Sequence, residues 1–326
     1  MNCTICNSKK TKLITANHKG YFEGSTYPIF ECTNCNTQFI PKSLIDPKIY
    51  DKLYSTTKTP GYDRYYKYAK KIKKSRNPLK FLQEQEPVYY PVYKYLKNKQ
   101  KLKVLEIGCG YGYLTYSINK MGHETLGIDI SKKAIDFAKS NFGVYYKTTS
   151  IEKFKTNQKY DLIIATELIE HLENPTKFIK NVSKKLKNNG KIIITTPNKD
   201  YYPNEIWITD GPPVHTVWLS KHSFSKICKK NNLNFKFIDY NNYYCANENK
   251  LINIIINNKK KNNNHNIIKK TNTNTNNKNK INTTIKRLII KLLLFMPINK
   301  LCFQIYKLLN KKESEHLILA VVIFKR

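Results

Sequence analysis

The amino-acid sequence predicts an α/β fold built on a mostly parallel, doubly wound sheet with helices on both faces. Between about residues 103 and 240, short apolar runs alternate with segments of helical periodicity, a pattern typical of parallel sheets covered on both faces. Two Cys-x-x-Cys pairs precede this region, and an Asn/Lys/Thr-rich tract follows it. The predicted zones are a cysteine-bearing module at 1–45, a helical lid or linker at 46–101, a central domain at 102–240 completed by 315–326, and an insertion at 241–314.

The cysteine pairs at the N-terminal end have the spacing of a metal site. The two pairs are separated by 25 residues, and an asparagine follows each of them, which suits a left-handed turn. This spacing is typical of a zinc ribbon, in which four thiolates leave no open coordination position. The sequence therefore predicts a structural Zn²⁺ ion held by Cys3, Cys6, Cys32 and Cys35.

The lid or linker region is rich in tyrosine and lysine, and prolines divide it into short helical pieces. Aromatic side chains interleaved with lysines can stack on nucleic-acid bases. They can equally form the apolar side of short helices and line a substrate lid, which is the interpretation that we favour for this region.

Apolar runs and turn residues place the elements of the central domain. Helical spacing predicts a helix over Tyr113–Met121, Ser131 is the expected N-cap of the next helix, and Asn189-Gly190 is the expected stop of a later one. The predicted strands are Val104–Ile107, Thr125–Ile128, Tyr160–Ala165 and Lys191–Thr195.

A glycine-rich loop follows the first strand. Glu106 precedes Gly108, Gly110 and Gly112, and Asp129 ends the second strand. A dinucleotide-binding loop would have its third glycine one position later, where it lets helix and strand pack closely. The pattern therefore favours a nucleoside without a diphosphate, its ribose hydroxyls bound by Asp129.

These residues carry a family resemblance. The stretch Val104–Ser131, "YDLIIATELIEHLENP" from Tyr160 and "NNGKIIITTPN" from Asn188 resemble three motifs of the class I S-adenosylmethionine-dependent methyltransferases. The similarity is closest to the branch of ubiquinone-biosynthesis O-methyltransferases and of glycan- or natural-product-modifying enzymes. It implies a seven-stranded sheet whose last strand, "HLILAVVIF" from His316, runs antiparallel and follows an α-helical insertion.

The resemblance also implies where S-adenosyl-L-methionine binds. In place of the acid with which the family usually reads the adenine amino group, this sequence has Ser150. Adenine recognition would then rest on the backbone around Ile151. The cofactor-binding residues that the resemblance implies are Glu106, Gly108, Cys109, Gly110, Gly112, Asp129, Ile130, Ser150, Ile151 and Thr166.

Two histidines are candidates for the base. Methyl transfer is a displacement at a sulfonium carbon, so most of the catalysis comes from aligning nucleophile and methyl group, and a general base assists an alcohol nucleophile. His215 lies in "DGPPVHTVWLS", where related enzymes have substrate-facing loops, and His171 follows the fourth-strand motif. We expect His215 to be the base, with His171 as the alternative.

The methyl acceptor is left open by the sequence. The leading prediction is O-methylation of a small molecule such as a sugar or glycan precursor. The alternatives are methylation of a quinone or lipid headgroup, or of RNA bound by the predicted zinc ribbon. The formal net charge is +35, but only four of the 58 basic residues are arginine, the residue that phosphate and guanine recognition favours. Nucleic acid is therefore the less favoured partner.

The insertion combines two kinds of sequence. Its first part is rich in Asn, Lys and Thr, which cannot bury a core and predicts disorder. Residues 285–311 predict amphipathic helices, which either pack on the domain or lie on an anionic membrane surface. Without a signal peptide or an apolar run of about 20 residues, we expect a cytoplasmic protein, with a peripheral position at the inner face of the membrane as the alternative.

Overall fold

The computed structural model describes residues 1–45, 49–53, 62–201, 211–246 and 318–325. The chain forms two compact units, Met1–Asp239 with Leu317–Arg326, and Tyr240–His316. The predicted helices at 285–311 and most of the predicted insertion lie outside the described residues. In the part of the chain that is described, no helix combines the length and the apolar character needed to cross a bilayer.

A seven-stranded sheet forms the centre of the first unit, in the order β10-β11-β8-β7-β4-β5-β6. The pairs within β6-β5-β4-β7-β8 are parallel, whereas β11 runs antiparallel to both of its neighbours. The predicted α/β fold class is therefore confirmed, including the antiparallel last strand. The strands of the chain are β1 Thr11–Lys19, β2 Thr26–Cys32, β3 Gln38–Phe39, β4 Lys103–Ile107, β5 Glu124–Asp129, β6 Tyr146–Thr148, β7 Tyr160–Thr166, β8 Leu186–Pro197, β9 Val217–Trp218, β10 Leu233–Phe237 and β11 Ile318–Lys325.

Side-chain caps fix where several helices begin. Asn77 and Asn174 each accept a hydrogen bond from the backbone N–H three residues ahead, and a proline stands at the first helical position after each of them, which suits the helix start. Ser131 caps its helix in the same way, as predicted. The helices are α1 Ile49–Leu53, α2 Asp63–Ile72, α3 Pro78–Gln85, α4 Tyr90–Leu96, α5 Tyr113–Lys120, α6 Lys132–Phe142, α7 Pro175–Ser183, α8 Lys221–Lys230 and α9 Asn241–Ala246.

Alternation along the central strands divides the apolar core into two layers. Leu105 and Ile107 of β4 belong to a cluster that includes α7, α8 and the N-terminal cysteines. Val104 of the same strand belongs to a second cluster with α2, α3, α5 and α6. Because successive side chains of a strand point to opposite faces, both faces of the sheet are buried under helices.

Asn189-Gly190, predicted to stop a helix, lies elsewhere in the structure. Helix α7 ends at Ser183, and β8 begins at Leu186, so this dipeptide lies inside the strand. The β7–β8 register shifts at this point. A Cβ atom on Gly190 would lie 2.8 Å from the carbonyl oxygen of Tyr160. The glycine therefore permits a close strand approach and does not stop a helix.

The N-terminal residues form a second sheet, of four strands in the order β1-β2-β3-β9. Its last strand comes from far along the chain, because Val217 pairs with Phe39 and Trp218 with Gln38. The hydroxyls of Ser220 and Ser223 donate to the carbonyl oxygen of Cys35 at 3.3 and 3.1 Å. The cysteine-bearing module therefore shares a sheet and buried hydrogen bonds with the segment that follows β8.

The described part of the second unit is short. It consists of Tyr240 and helix α9. The ring of Tyr240 meets that of Tyr243, on α9, edge-on with centroids 6.1 Å apart.

Candidate active site

A cavity of about 320 Å³ opens at the C-terminal ends of β4, β5 and β7, the edge where open α/β sheets bind ligands. Nine of the ten predicted cofactor-binding residues line it. They are Glu106, Gly108, Cys109, Gly110, Asp129, Ile130, Ser150, Ile151 and Thr166. Of the two candidate bases, His171 lines this cleft and His215 does not.

The glycine loop turns sharply at the end of β4. Gly108 and Gly110 have φ values of +75° and +49°, which side chains rarely tolerate. The N–H of Gly108 donates to the carbonyl oxygen of Ile128 at 2.8 Å, and the N–H of Gly110 donates to Asp129 Oδ2 at 2.9 Å. The loop thus presents backbone atoms without side chains to the cleft, and its hydrogen bonds anchor it to the end of β5.

Gly112, the tenth predicted residue, lies outside the cleft lining. It precedes α5 with φ of +79°, and a Cβ atom there would lie 2.6 Å from both Ala138 and Tyr146. The hydroxyl of Tyr146 donates to the Gly112 carbonyl at 2.8 Å. This glycine therefore lets the glycine loop pack against α6 and β6, and its cofactor contact stays a prediction.

Asp129 is 8% exposed at the base of the cleft. Its two carboxylate oxygens accept hydrogen bonds from the N–H groups of Gly110 at 2.9 Å and Ser131 at 2.8 Å. Burial raises the pKa of this carboxyl, and these backbone N–H bonds oppose the rise. Because each carboxylate oxygen accepts more than one hydrogen bond, the group could also bind two vicinal hydroxyls.

Glu106 is the second-last residue of β4, just before the glycine loop, and is 3% exposed. Burial raises its pKa to about 8, while the hydrogen bond donated by the Thr115 hydroxyl opposes the rise. The carboxyl is therefore mainly neutral at pH 7. A neutral acid can both donate and accept hydrogen bonds at the floor of the cleft.

The two candidate histidines form a pair. His171 ends a 3₁₀ turn after β7, His215 lies in the loop after β8, and their ring centroids are 4.7 Å apart. His171 Nδ1 lies 2.8 Å from the carbonyl oxygen of Val214. A carbonyl only accepts, so neutral His171 carries its proton on Nδ1 and its Nε2 is basic. Burial holds the pKa of His215 well below its usual range, and charge repulsion from His171 and Arg64 lowers this pKa further.

A buried carboxylate joins this pair. Glu170 is 1% exposed, and its Oε2 accepts a hydrogen bond from the Thr196 hydroxyl at 3.0 Å. One ligand atom each from Glu170, His171 and His215 lie within 4.8 Å of one another. Two imidazoles and a carboxylate suit a divalent transition-metal cation. Glu170 was not among the predicted site residues, although its place beside His171 in the fourth-strand motif is a usable signal.

Thr216 connects the two histidine-bearing loops. Its N–H donates to the Glu170 carbonyl at 2.8 Å, and its hydroxyl lies 3.1 Å from the carbonyl oxygens of both Glu170 and Leu172. The next residue, Val217, begins β9 in the N-terminal sheet. The position of His215 is therefore set by β7 on one side and by the cysteine-bearing module on the other.

Tyrosines from the predicted lid region, the glycine loop and the start of α5 form the remaining wall of the cleft. Tyr89 and Tyr113 are joined through their hydroxyls at 2.6 Å, and the ring of Tyr65 stacks on that of Tyr113 at a centroid distance of 6.4 Å. The Tyr50 ring meets His171 edge-on at 5.9 Å. The cleft-lining tyrosines of this wall are Tyr50, Tyr62, Tyr65, Tyr89, Tyr111 and Tyr113.

The four predicted metal ligands converge within the cysteine-bearing module. The Sγ atoms of Cys3 and Cys35, and those of Cys6 and Cys32, are 3.5 Å apart, and all four lie within 4.8 Å of one another. The N–H of Ile5 points to Cys3 Sγ at 3.4 Å. Both asparagines that follow the pairs have left-handed backbone, with φ of 60° and 56°. This donor set and geometry fit Zn²⁺.

Comparisons with known proteins identify the family. A family model described as a methyltransferase domain matches residues 79–237. A ubiquinone biosynthesis O-methyltransferase of Pelagibacter ubique is 35% identical, over a portion that covers 45% of this chain and 68% of that protein. The chain belongs to the class I S-adenosylmethionine-dependent methyltransferases.

More distant similarities extend this comparison. A ubiquinone biosynthesis O-methyltransferase of Bradyrhizobium diazoefficiens is 28% identical, with 42% of this chain and 57% of that protein covered. The structure of the plantazolicin methyltransferase BpumL with S-adenosylhomocysteine shares 17% identity at a TM-score of 0.43, covering 86% of this chain and 96% of the other. S-Adenosylmethionine is the cofactor of the methyltransferase family to which the chain belongs. Both curated relatives are longer than the part of them that this chain matches.

Proposed function

We propose that this methyltransferase transfers a methyl group to a hydroxyl oxygen of a small molecule that carries a ring. The observation that carries the proposal is the Glu170–His171–His215 cluster, which meets the cofactor cleft at His171. An alcohol or phenol needs help in losing its proton, whereas an amine does not need a base in the same way. A buried basic cluster beside the cleft therefore favours O-methylation.

The cofactor would lie along the glycine loop. Asp129 would accept from its ribose hydroxyls, and the backbone at Ser150 and Ile151 would border the adenine. The bare backbone at Gly108 and Gly110 would support the methionine portion, with neutral Glu106 below it. This placement is supported by the lining of the cleft and by the two N–H groups that orient the Asp129 carboxylate.

His171 is the better candidate for the base, in place of His215. The bond from its Nδ1 to Val214 leaves Nε2 as the basic nitrogen, and the ring lines the cleft. His215 is buried behind it, and its lowered pKa keeps it neutral. In the proposed step, the acceptor hydroxyl gives its proton to His171. The oxygen then attacks the methyl carbon, and the S–C bond breaks to release S-adenosylhomocysteine.

The same cluster supports a second mechanism. Glu170, His171 and His215 suit a divalent cation, which when bound would lower the pKa of a coordinated acceptor hydroxyl. His171 would then be a ligand and the cation would replace the base. The acceptor and the transfer reaction would be the same in both mechanisms.

The tyrosine wall supports an acceptor with a ring. Flat aromatic faces pack well against other rings, and six tyrosines line this cleft. Both curated relatives are named as O-methyltransferases of ubiquinone biosynthesis, so we favour a phenolic acceptor of the quinone type. The sugar or glycan precursor expected from the sequence stays a prediction, as does RNA.

The experiment follows labelled methyl from S-adenosylmethionine into a dihydroxybenzoate, a nucleotide sugar and RNA. We expect transfer to the phenol. His171→Gln should lower turnover by about 10²–10⁴-fold while S-adenosylhomocysteine affinity stays unchanged, and His222→Gln on α8 is the matched control. Full turnover in His171→Gln would exclude the base, and activity lost to a chelator but restored by Mn²⁺ would favour the cation mechanism.

The proposal includes a structural zinc ion at Cys3, Cys6, Cys32 and Cys35, supported by their convergence. Four thiolates complete a tetrahedral site, so this ion would take no part in methyl transfer. The cysteine-bearing module reaches the active site through β9, which pairs with β3 and directly follows His215 and Thr216.

A further inference from the structure

A second concave surface lies between the cysteine-bearing module, α7 and the C-terminal end of α8. Its volume is about 970 Å³, at the upper end of the range for ligand pockets of roughly 300–1,000 Å³. We call it the lysine groove, after the five lysines that line it. They are Lys42, Lys177, Lys180, Lys184 and Lys230.

The positive charge of the lysine groove is largely uncompensated. No aspartate or glutamate is among its described lining residues. Lys42 pairs with Glu173 at 3.1 Å, whereas in the described part of the chain the other four have no carboxylate oxygen within 4.0 Å. A multivalent anion would remove their mutual repulsion.

Helix α7 and its C-cap concentrate this charge on one side. Lys177, Lys180 and Lys184 are spaced by three and four residues and therefore share a helix face. All three are exposed. Phe178, on the same helix, lines the cofactor cleft instead. The helix thus separates two ligand-sized spaces, and the lysine groove is distinct from the methyl-transfer site.

Neutral hydrogen-bonding groups complete the lining. Thr176 donates to the carbonyl of Ile5, and Asn231 donates to the carbonyl of Thr176 at 3.3 Å. These bonds join the cysteine-bearing module to α7 and α8 at the base of the groove. The asparagines that line it are Asn2, Asn7, Asn174, Asn181, Asn231 and Asn232.

We propose that the lysine groove binds the diphosphate of a nucleotide-sized small molecule. Lysine ammonium groups are compact charges that suit phosphate oxygens, and five lysines lining one space favour an anion with more than one charge. Asparagine amides can bind the polar groups of a base or sugar. The concave form of the groove suits a small ligand better than it suits a flat bilayer. The site is independent of the proposed methyl acceptor.

The test is calorimetric titration of the full-length, zinc-loaded protein with uridine diphosphate and with pyrophosphate at about 50 mM salt. We expect binding that weakens as salt is raised, because screening reduces the attraction. Lys177→Gln/Lys180→Gln should weaken it roughly tenfold or more, since charge-assisted phosphate contacts are lost. The control Lys133→Gln/Lys139→Gln removes two exposed lysines of α6 and should bind like the unmodified protein.

Binding of S-adenosylhomocysteine should be unchanged in both variants, which reports on folding and on the separate cofactor cleft. Failure of both phosphate ligands to bind the unmodified protein would overturn the proposal, as would equal loss in the control variant. If RNA or phosphatidylglycerol vesicles bind through Lys177 and Lys180 and uridine diphosphate does not compete, the groove serves a macromolecular or membrane partner and the diphosphate proposal is wrong.

Discussion

Asp129 combines a structural role with the ribose-binding role proposed for it. Its carboxylate holds the glycine loop through Gly110 and the start of α6 through Ser131, and the same residue lines the cleft. In the proposed cofactor position, the ribose would be placed by the side chain that also shapes the loop.

Asp129→Asn tests this role. The amide has one acceptor in place of two and carries no charge, and a hydrogen bond to a charged group contributes about 1.5–3 kcal/mol. We expect S-adenosylhomocysteine to bind about 10–100-fold more weakly in calorimetric titration. Asp136→Asn, on the exposed face of α6, should bind normally. Unchanged affinity in Asp129→Asn would refute the assignment of the ribose site.

Glu106 predicts a pH dependence of stability. Burial raises the folded-state pKa to about 8 from an ordinary value of 4.5. The unfolded chain therefore loses this proton more readily, and stability falls as pH rises from about 4.5 through 8.

Glu106→Gln keeps the shape and removes the titration. Relative to the unmodified protein, the variant should gain stability as pH rises from 5 to 8, by at most about 1.4 kcal/mol for each pH unit. Urea unfolding at several pH values measures this, with the exposed Glu124→Gln as control. Parallel curves for the two proteins would show that Glu106 is already ionised in the fold.

At the scale of elements, β9 connects the cysteine-bearing module to the loop that carries His215. Its two residues pair with β3 just beyond Cys35, and His215 and Thr216 directly precede them. A change at the cysteines should therefore move the histidine pair. The glycine loop and Asp129 should keep their positions, because they lie at the ends of β4 and β5.

Cys32→Ser tests this connection. We expect loss of zinc and a fall in turnover of about 10–100-fold, the range for losing the support of a catalytic group, while S-adenosylhomocysteine binds within about twofold of normal. Metal analysis, methyl transfer and calorimetry measure the three quantities. Cys228→Ser, in the buried face of α8, should keep its zinc. Full turnover in zinc-free protein would show that β9 holds its place unaided.

Across the whole molecule, sequence patterns predicted the features that depend on neighbouring residues, such as elements, caps and turns. The alternation of strands with helices, the Ser131 cap and the left-handed asparagines after the cysteine pairs depend on residues close in sequence, and the structure contains each of them. Gly112 matches the glycine motif locally, whereas its packing depends on Ala138 and Tyr146, which lie further along the chain. Asn189-Gly190 likewise matches a helix stop locally.

Long-range contacts account for what the sequence did not indicate. The pairing of Trp218 with Gln38 joins residues 180 positions apart, and no periodicity encodes such a partner. The His171–His215 contact and the lysine groove likewise depend on how distant segments pack. Both histidines were recognisable as candidates, but which one meets the cleft follows only from the fold.

The shared strand β9 also constrains how such a chain can change over generations. A module inserted between independent domains can be lost or exchanged freely, because its removal exposes little. Here the N-terminal sheet covers Trp218, which is 1% exposed, and ends on the loop that carries His215. A lineage that discarded the four cysteines would have to rebuild residues 211–220 at the same time. The cysteine-bearing module and the loop that carries His215 should therefore be inherited, and engineered, as one piece.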